Sequence, residues 1–464
     1  MVRFWGLLAL LALAAPVPAA DVDFAAARDE AVGHLRSLIR IDTSNPPGNE
    51  TRAAEYLRDV LAREGIDSVI VGADPARGNL IARIPGSGKK RPILLMGHTD
   101  VVGVEREEWT VDPFAAEIRD GYVYGRGASD DKDAVAASLV TLLLLHRQKL
   151  PLDRDVIFLA EASEEGGAND FGIGWLVANH WEKIDAEFAL AEGGGTTIRD
   201  GEVALVGIAT TEKVPSGMVL TARGTSGHGS IPRPDNPVVH LARAVAKIGD
   251  YRPPMRLNET TRTFFERLAP ISPPREADLY RRLLDPATAD AAQDELQAFS
   301  LTYHSMVRTS ISPNVIQGGF RYNVIPAEAT ATLDVRALPD EDIEAFADRL
   351  RALIDDPAVE LTMRSGGGGR PKAPPSGLDT EMFRALETAQ KHVFPGATTV
   401  PMLLPAATDM AQVRAKGVQA YGLAAPELEG QVRAHGNDER ISIEALGQYV
   451  EFMYRAVVDV AAAR

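Results

Sequence analysis

Four short apolar runs, at residues 80–84, 93–96, 156–160 and 188–191, constrain this chain more than any other feature. Each is bounded by turn residues and leads into a polar, glycine-containing segment, as a buried strand does. Helical spacing of apolar residues fills the gaps, notably at 134–146 and 172–180. Two more helical stretches, 25–41 and 50–64, come first and flank the turn-rich Ser44-Asn45-Pro46-Pro47-Gly48. Such alternation predicts an α/β fold, a sheet with helices packed on it. Ligand sites of these sheets lie where the strands end.

The texture changes near Thr211. Residues 218–222, 329–335 and 359–363 read as strands and 237–248 and 342–354 as helices, which predicts a separate, smaller α+β layer. A charged, helix-rich insertion occupies about 258–303. The glycine run 366–369, with Pro371, Pro374 and Pro375 behind it, reads as the link back to the first unit. The expected organisation is one α/β domain of residues 21–211 and 368–464, interrupted by a smaller α+β domain at 212–367.

Residues 1–20 carry an early Arg3, an apolar stretch from Leu7 to Ala15, and then Pro-Val-Pro-Ala-Ala. That layout is a secretory signal peptide, cleaved near Ala19 or Ala20, so the protein is expected to be exported, periplasmic or secreted. The run is short for a membrane span and no later one is long enough, so no stable membrane anchor is expected.

Which chemistry is open follows from what the chain lacks. Its 464 residues contain no cysteine, which excludes thiolate catalysis, Fe–S clusters and cysteine-ligated zinc. With 49 basic against 65 acidic residues the formal charge is −16, without a basic block, which argues against a nucleic-acid partner. Any metal must therefore be held by His, Asp and Glu.

Those residues recur at the ends of the apolar runs. His98 and Asp100 follow the run 93–96, and residues separated by one point to the same side of an extended chain. A ligand histidine steadied by a carboxylate on its other nitrogen is a common device. Asp130 and Asp131 follow a glycine-rich turn and open a helix, where acids also serve as caps. Glu164 and Glu165 follow the run 156–160, and two adjacent carboxylates there call for solvent or a cation. Glu192 repeats the layout after 188–191, and His435 lies in a polar turn before a C-terminal helix pattern. Singly, each has an ordinary structural explanation. Jointly, two imidazoles and several carboxylates suit zinc or another divalent metal. Two ions held by so few groups need a bridging carboxylate, and five ligands with one shared leave room for water between them. An unligated carboxylate nearby would then take the water's proton and pass it to the leaving amine.

In order, the segments GHTDVV, GRGASDDKD, SEEGG, AEGGG, GTSGHGSIP and HGNDER resemble the co-catalytic zinc peptidase family. That family includes aminoacylases, carboxypeptidase G, succinyl-diaminopimelate desuccinylase and carnosinases. The segments starting at Arg308 and at Ala407-Thr408-Asp409 are most similar to its carboxypeptidase S and N-acyl amino acid hydrolase branch. The resemblance implies two zinc ions, with cobalt or manganese as substitutes. His98, Asp130 and Glu192 would hold one ion and Asp130, Glu165 and His435 the other, with Asp130 bridging. Glu164 would be the general base and Asp100 would orient His98. By the same resemblance the α/β domain would be catalytic and residues 212–367 a lid or dimerisation domain. His228 would stabilise the tetrahedral oxyanion, often from the partner subunit of a homodimer joined through that lid, while Asn323 and Arg336 would contact the substrate.

What the resemblance implies is a hydrolase of peptide or N-acyl amide bonds beside a free carboxylate. Two other readings stand next to it: a catalytically silent binding or assembly module, and an N-acyl amino acid synthase/hydrolase acting on fatty-acyl substrates. Two departures from the family pattern bear on the site. Asp133 replaces a usual glycine and adds a carboxyl near the metals, and Pro405-Ala406-Ala407 replaces a glycine-rich loop and alters the expected pocket shape.

Overall fold

A computed structural model describes residues 22–166, 170–364, 369–426 and 434–463. The expected signal segment and residues 366–368 of the glycine run lie outside the described residues. The fold is mixed α/β. All four apolar runs are strands: Asn79–Ile84, Ile93–His98, Val156–Glu161 and Phe188–Glu192. They belong to one nine-stranded sheet, whose order begins Ser68–Val71, Asn79–Ile84, Val156–Glu161, Ile93–His98, Phe188–Glu192 and continues with Gln419–Leu423, Glu202–Glu212 and Thr398–Leu404. Its central strands Val156–Glu161, Ile93–His98, Phe188–Glu192 and Gln419–Leu423 run parallel, with consecutive C-terminal ends on one rim.

Parallel strands buried on both faces read as near-continuous apolar runs rather than alternating ones, and that is what these four are. One face is covered by the helices Phe24–Ile39, Glu50–Arg63, Lys132–Gln148, Glu381–Val393 and Ile443–Ala461, which share a core with Leu95 and Phe158. The other face carries Leu94, Met96, Ile157 and Leu159, packed under the helices Ile173–Asn179 and Met410–Ala415. Helix Lys132–Gln148 is apolar nearly all round, with Val135, Leu139, Leu142 and Leu143 fully buried, because it is clamped between sheet and neighbouring helices.

A second, five-stranded sheet comprises Val214–Pro215, Glu328–Ala337, Met218–Arg223 and Val359–Met363, with Ser310–Gly318 paired to Glu328–Ala337. Helices Pro237–Asp250 and Ile343–Ile354 cover one face around Leu220, Leu333 and Phe346. Here the strands do alternate, as Glu328–Ala337 shows with every second residue buried. The helical segment near 258–303 forms Glu259–Leu268, Pro274–Leu284, Ala289–Phe299 and Leu301–Met306. Its apolar side, including Phe264, Phe265 and Leu296, packs against Leu205 and Val400 of the large sheet. Among the described residues no helix is long and apolar enough to cross a membrane.

Candidate metal centre

The parallel strands deliver acids and a histidine to one rim. His98 is the last residue of Ile93–His98 and is almost wholly buried. It can reach that depth because position 97 is glycine. A Cβ there would stand 2.7 Å from Asp131 Oδ2 and 3.1 Å from Val135. Glu192 ends Phe188–Glu192 and is followed by Gly193 and Gly194, both at positive φ. At Gly194 (φ +88°) a Cβ would lie 2.4 Å from the Gly207 carbonyl oxygen, so the chain turns back toward Glu202–Glu212 only without a side chain. Asp130 precedes helix Lys132–Gln148, joined to Asp131 by a cis peptide bond. His435 sits in left-handed backbone (φ +64°) just before Arg440–Ser442.

Five of the ten candidate site residues close into one cluster. His98 Nε2 lies 3.0 Å from Asp130 Oδ1 and 3.8 Å from Glu192 Oε2. From the other side, His435 Nε2 lies 3.3 Å from Asp130 Oδ2 and 3.0 Å from Glu165 Oε1. Asp130 thus faces one imidazole with each oxygen. Potential ligand atoms of His98, Asp130 and Glu165 lie within 4.8 Å of one another, as do those of His98, Glu164 and Glu192.

Asp100 is fully buried beneath this cluster and does more than steady His98. Its side chain accepts from Asn45 Nδ2 at 2.8 Å and from the backbone N–H groups of Glu164 and Glu165, each at 3.1 Å. The His98 Nδ1 is 3.1 Å from the Asp100 carbonyl oxygen and 3.5 Å from its carboxylate, so both hold the ring. Glu164, with a side chain 11% exposed, is gripped by Arg370, whose Nη1 donates to Asp409 Oδ1 at 2.9 Å. Behind Asp409, the Glu212 carboxylate accepts from Thr408 N and Oγ1 at 3.0 and 2.8 Å and from Arg414 Nη1 at 2.9 Å.

The site is charged beyond what its own cations balance. Burial holds the carboxyls of Asp131, Glu161, Glu164 and Glu192 above the ordinary range, and repulsion from neighbouring acids adds to it. Burial opposes protonation of His98, yet hydrogen bonds to Asp100, Asp130 and Glu192 outweigh it and hold the ring well above its usual value. His435 is pushed up to about 10 by its hydrogen bonds to Asp130 and Glu165. Asp130 goes the other way: burial raises it, but the two histidines overcome that and hold it low. Such a nest of part-dry carboxylates with two imidazoles is relieved by a divalent cation. Imidazole nitrogen and carboxylate oxygen without sulfur fit zinc, cobalt or manganese. Asp133, the departure from the family pattern, adds little charge near neutrality because burial pushes its carboxyl up to about 8.

His228, Asn323 and Arg336 are placed elsewhere, on or beside the second sheet and a separate two-stranded pair. His228 is exposed in the pair Gly227–His228 with Val324–Ile325, and its Nδ1 accepts from Ser230 N at 3.1 Å. Asn323 accepts at its carbonyl from Gly229 N at 2.8 Å, and its Oδ1 is buried without a hydrogen-bond partner among the described residues. Arg336 Nε donates to Asp334 at 2.8 Å. Their recorded partners are local.

Sequence reasoning passed over Asn45 and Arg370, and met Arg126 and Glu439 only as parts of motifs. Arg126 Nη1 donates to Glu439 Oε2 at 2.7 Å, and Glu439 also accepts from Gly127 N and Ser129 N at 3.1 and 2.8 Å. Asp409 was visible only as part of a motif.

The relatives of the chain carry the same chemistry in their names. Probable carboxypeptidase S-like 2 of Dictyostelium discoideum is 30% identical over 380 residues, covering 79% of this chain and 71% of that one. The N-fatty-acyl-amino acid synthase/hydrolase of Xenopus tropicalis is 29% identical, covering 93% and 86%. Among solved structures, the M20 family metallo-carboxypeptidase Sso-CP2 from Sulfolobus solfataricus aligns with a TM-score of 0.69 at 21% identity, over 92% of this chain and 98% of that one. Peptidase family M20/M25/M40 matches residues 94–459. With that match running over well more than half its length, the chain belongs to peptidase family M20/M25/M40, as a metallohydrolase of the peptidase and aminoacylase type.

Proposed function

We propose that the protein hydrolyses a peptide or N-acyl amide bond beside a free carboxylate, using two divalent cations and releasing an amino acid. The observation that carries this reading is the placement of Asp130 between the imidazoles of His98 and His435, with Glu192 and Glu165 flanking them. His98, Asp130 and Glu192 would hold one zinc ion, and Asp130, Glu165 and His435 the other. When bound, the pair supplies an acidified water and a Lewis acid for the scissile carbonyl.

The chain's own residues do the rest. Glu164 takes the proton from the attacking water and hands it to the departing amine nitrogen. Burial favours that role, since a carboxyl held above its ordinary range is the stronger base. Asp100 orients His98 and fixes the turn that carries Glu164 and Glu165. His228 donates to the oxyanion of the tetrahedral intermediate, and Asn323 and Arg336 hold the substrate, Arg336 by its carboxylate.

His228 acts from the partner subunit of a homodimer. Strand Ser310–Gly318 and helix Pro237–Asp250 present Val315, Ile316, Val238 and Val239, all at least 40% exposed, with Phe320 and Tyr322 at 84% and 99%. An apolar face of that size on a sheet edge suits a second copy. The leader at 1–20 supports export. A second reading, condensation of a fatty acid with an amino acid, is favoured by the synthase/hydrolase relatives, and both directions share one transition state.

The test is Glu164→Gln in zinc-loaded protein, assayed on a panel of N-acyl amino acids and dipeptides. Turnover is expected to fall by orders of magnitude with metal content unchanged. Full activity in that variant removes Glu164 as the base, and a panel without any substrate for the parent favours the silent module.

A further inference from the structure

The carboxylate of Glu164 has two oxygens, and one of them is engaged by an arginine. Oε1 is bound by the Arg370 guanidinium, which also reaches the Glu164 carbonyl oxygen at 3.5 Å. The opposite nitrogen of the same guanidinium donates to Asp409 at 2.9 Å. All three side chains are about nine-tenths buried, at 10%, 11% and 9% exposed. Asp409 is itself held in place, because it starts helix Met410–Ala415 directly after Thr408, and Thr408 is fastened to Glu212 through both its N–H and its hydroxyl. A rigid line therefore runs from the large sheet through Thr408, Asp409 and Arg370 to Glu164.

We propose that Arg370 is a positioning residue for the base: it anchors one oxygen of Glu164 and leaves the other aimed at the place where water is deprotonated. The planar guanidinium suits this, since its two terminal nitrogens fix two carboxylates at a set separation, which a lysine ammonium does not do. A buried glutamate without such a tether is not confined to one rotamer, and its orientation matters for proton transfer over about 3 Å. Asp409 keeps the guanidinium from folding wholly onto Glu164, and Arg370 offsets repulsion between Glu164 and Glu192. This inference rests on the reading of Glu164 as the base.

The experiment uses the zinc-loaded full chain and a saturable N-acyl amino acid. Arg370→Ala is expected to lower kcat ten- to a hundredfold with KM and bound zinc within twofold of the parent. Arg370→Lys should recover only part of the loss, and millimolar guanidinium added to Arg370→Ala should restore activity. Adding Arg370→Ala to Glu164→Gln should cost nothing further, since residues that act through one group are not additive. Full kcat in Arg370→Ala while Glu164→Gln is dead overturns the positioning role alone. A loss that tracks zinc content, ignores guanidinium or multiplies with Glu164→Gln overturns it as well. Full activity in Glu164→Gln removes the base reading and this inference with it.

Discussion

Arg126 and Glu439 meet as a buried ion pair at 2.7 Å across 313 residues of sequence. The pair binds the turn that delivers Asp130 to the loop that delivers His435, since Glu439 also caps the N–H groups of Gly127 and Ser129. Removing one partner leaves a buried charge uncompensated, which costs about 3–5 kcal/mol. Glu439→Ala should therefore lower the urea midpoint strongly and weaken binding of zinc. A variant with parental stability would show that the two loops are held by other contacts.

Metal uptake should release protons. Without a cation His435 is pushed up to about 10 and His98 is held well above its usual value, so both rings carry protons at neutral pH. A ligand imidazole must be neutral, so each ion displaces protons as it binds and affinity rises with pH. Calorimetry in buffers of different ionisation enthalpy should report at least one proton released per pair of ions near pH 7. Binding heats independent of buffer would contradict the donor assignment.

Asp100 should matter for metal and turnover separately. It steadies His98 and also holds the amides of Glu164 and Glu165. Asp100→Ala is expected to weaken zinc ten- to a hundredfold, the usual cost of losing a ligand's support. At saturating zinc its kcat should remain depressed because the Glu164 turn has lost its anchor. Competition titration against a chelating dye, followed by assays at high zinc, separates the two effects.

Lys213 should imprint a pH dependence on stability that has nothing to do with the metal. Its amine is buried, near Arg308 and Arg336, and is lowered from 10.5 to about 7, donating to Ser305 and Ser310 hydroxyls at 2.8 and 3.0 Å. Between those two values the unfolded chain binds the proton and the folded chain does not, so stability rises with pH across that window. Below about 7 both states are protonated and the slope from this group vanishes. Lys213→Met should flatten the rise in melting temperature between about pH 7 and pH 9.5. An unchanged slope would show that other groups cause it.

The parts of this molecule written locally were legible, and those written across the chain were not. The four central strands announced themselves because burial on both faces demands unbroken apolar runs, and the strand Val359–Met363 is found at the bounds its pattern gave. That His98, Glu165 and Glu192 come to one rim was legible because each lies within a few residues of the end of such a run. Helix ends were blurred: the pattern at 237–248 continues to Asp250, where polar residues face solvent and periodicity carries no signal. Arg370 gave no hint at all, for its partner Glu164 lies 206 residues away and an arginine after a glycine run looks like any linker residue. The acid at 439 stood inside a recognised motif, but only folding shows that it serves the turn at Gly125 and Arg126 rather than an ion.

The proposed donors His98, Asp130, Glu165, Glu192 and His435 sit on five separate stretches of backbone. A cation spanning them would work as a clasp as well as a reagent. Without it the crowded acids would push against each other and loosen the very rim that holds them. Sensitivity to proteases should then follow ion supply. Where the ion is scarce the same chain should be both idle and easily digested; where it is plentiful, a molecule nicked in a surface loop should stay in one piece and keep its shape.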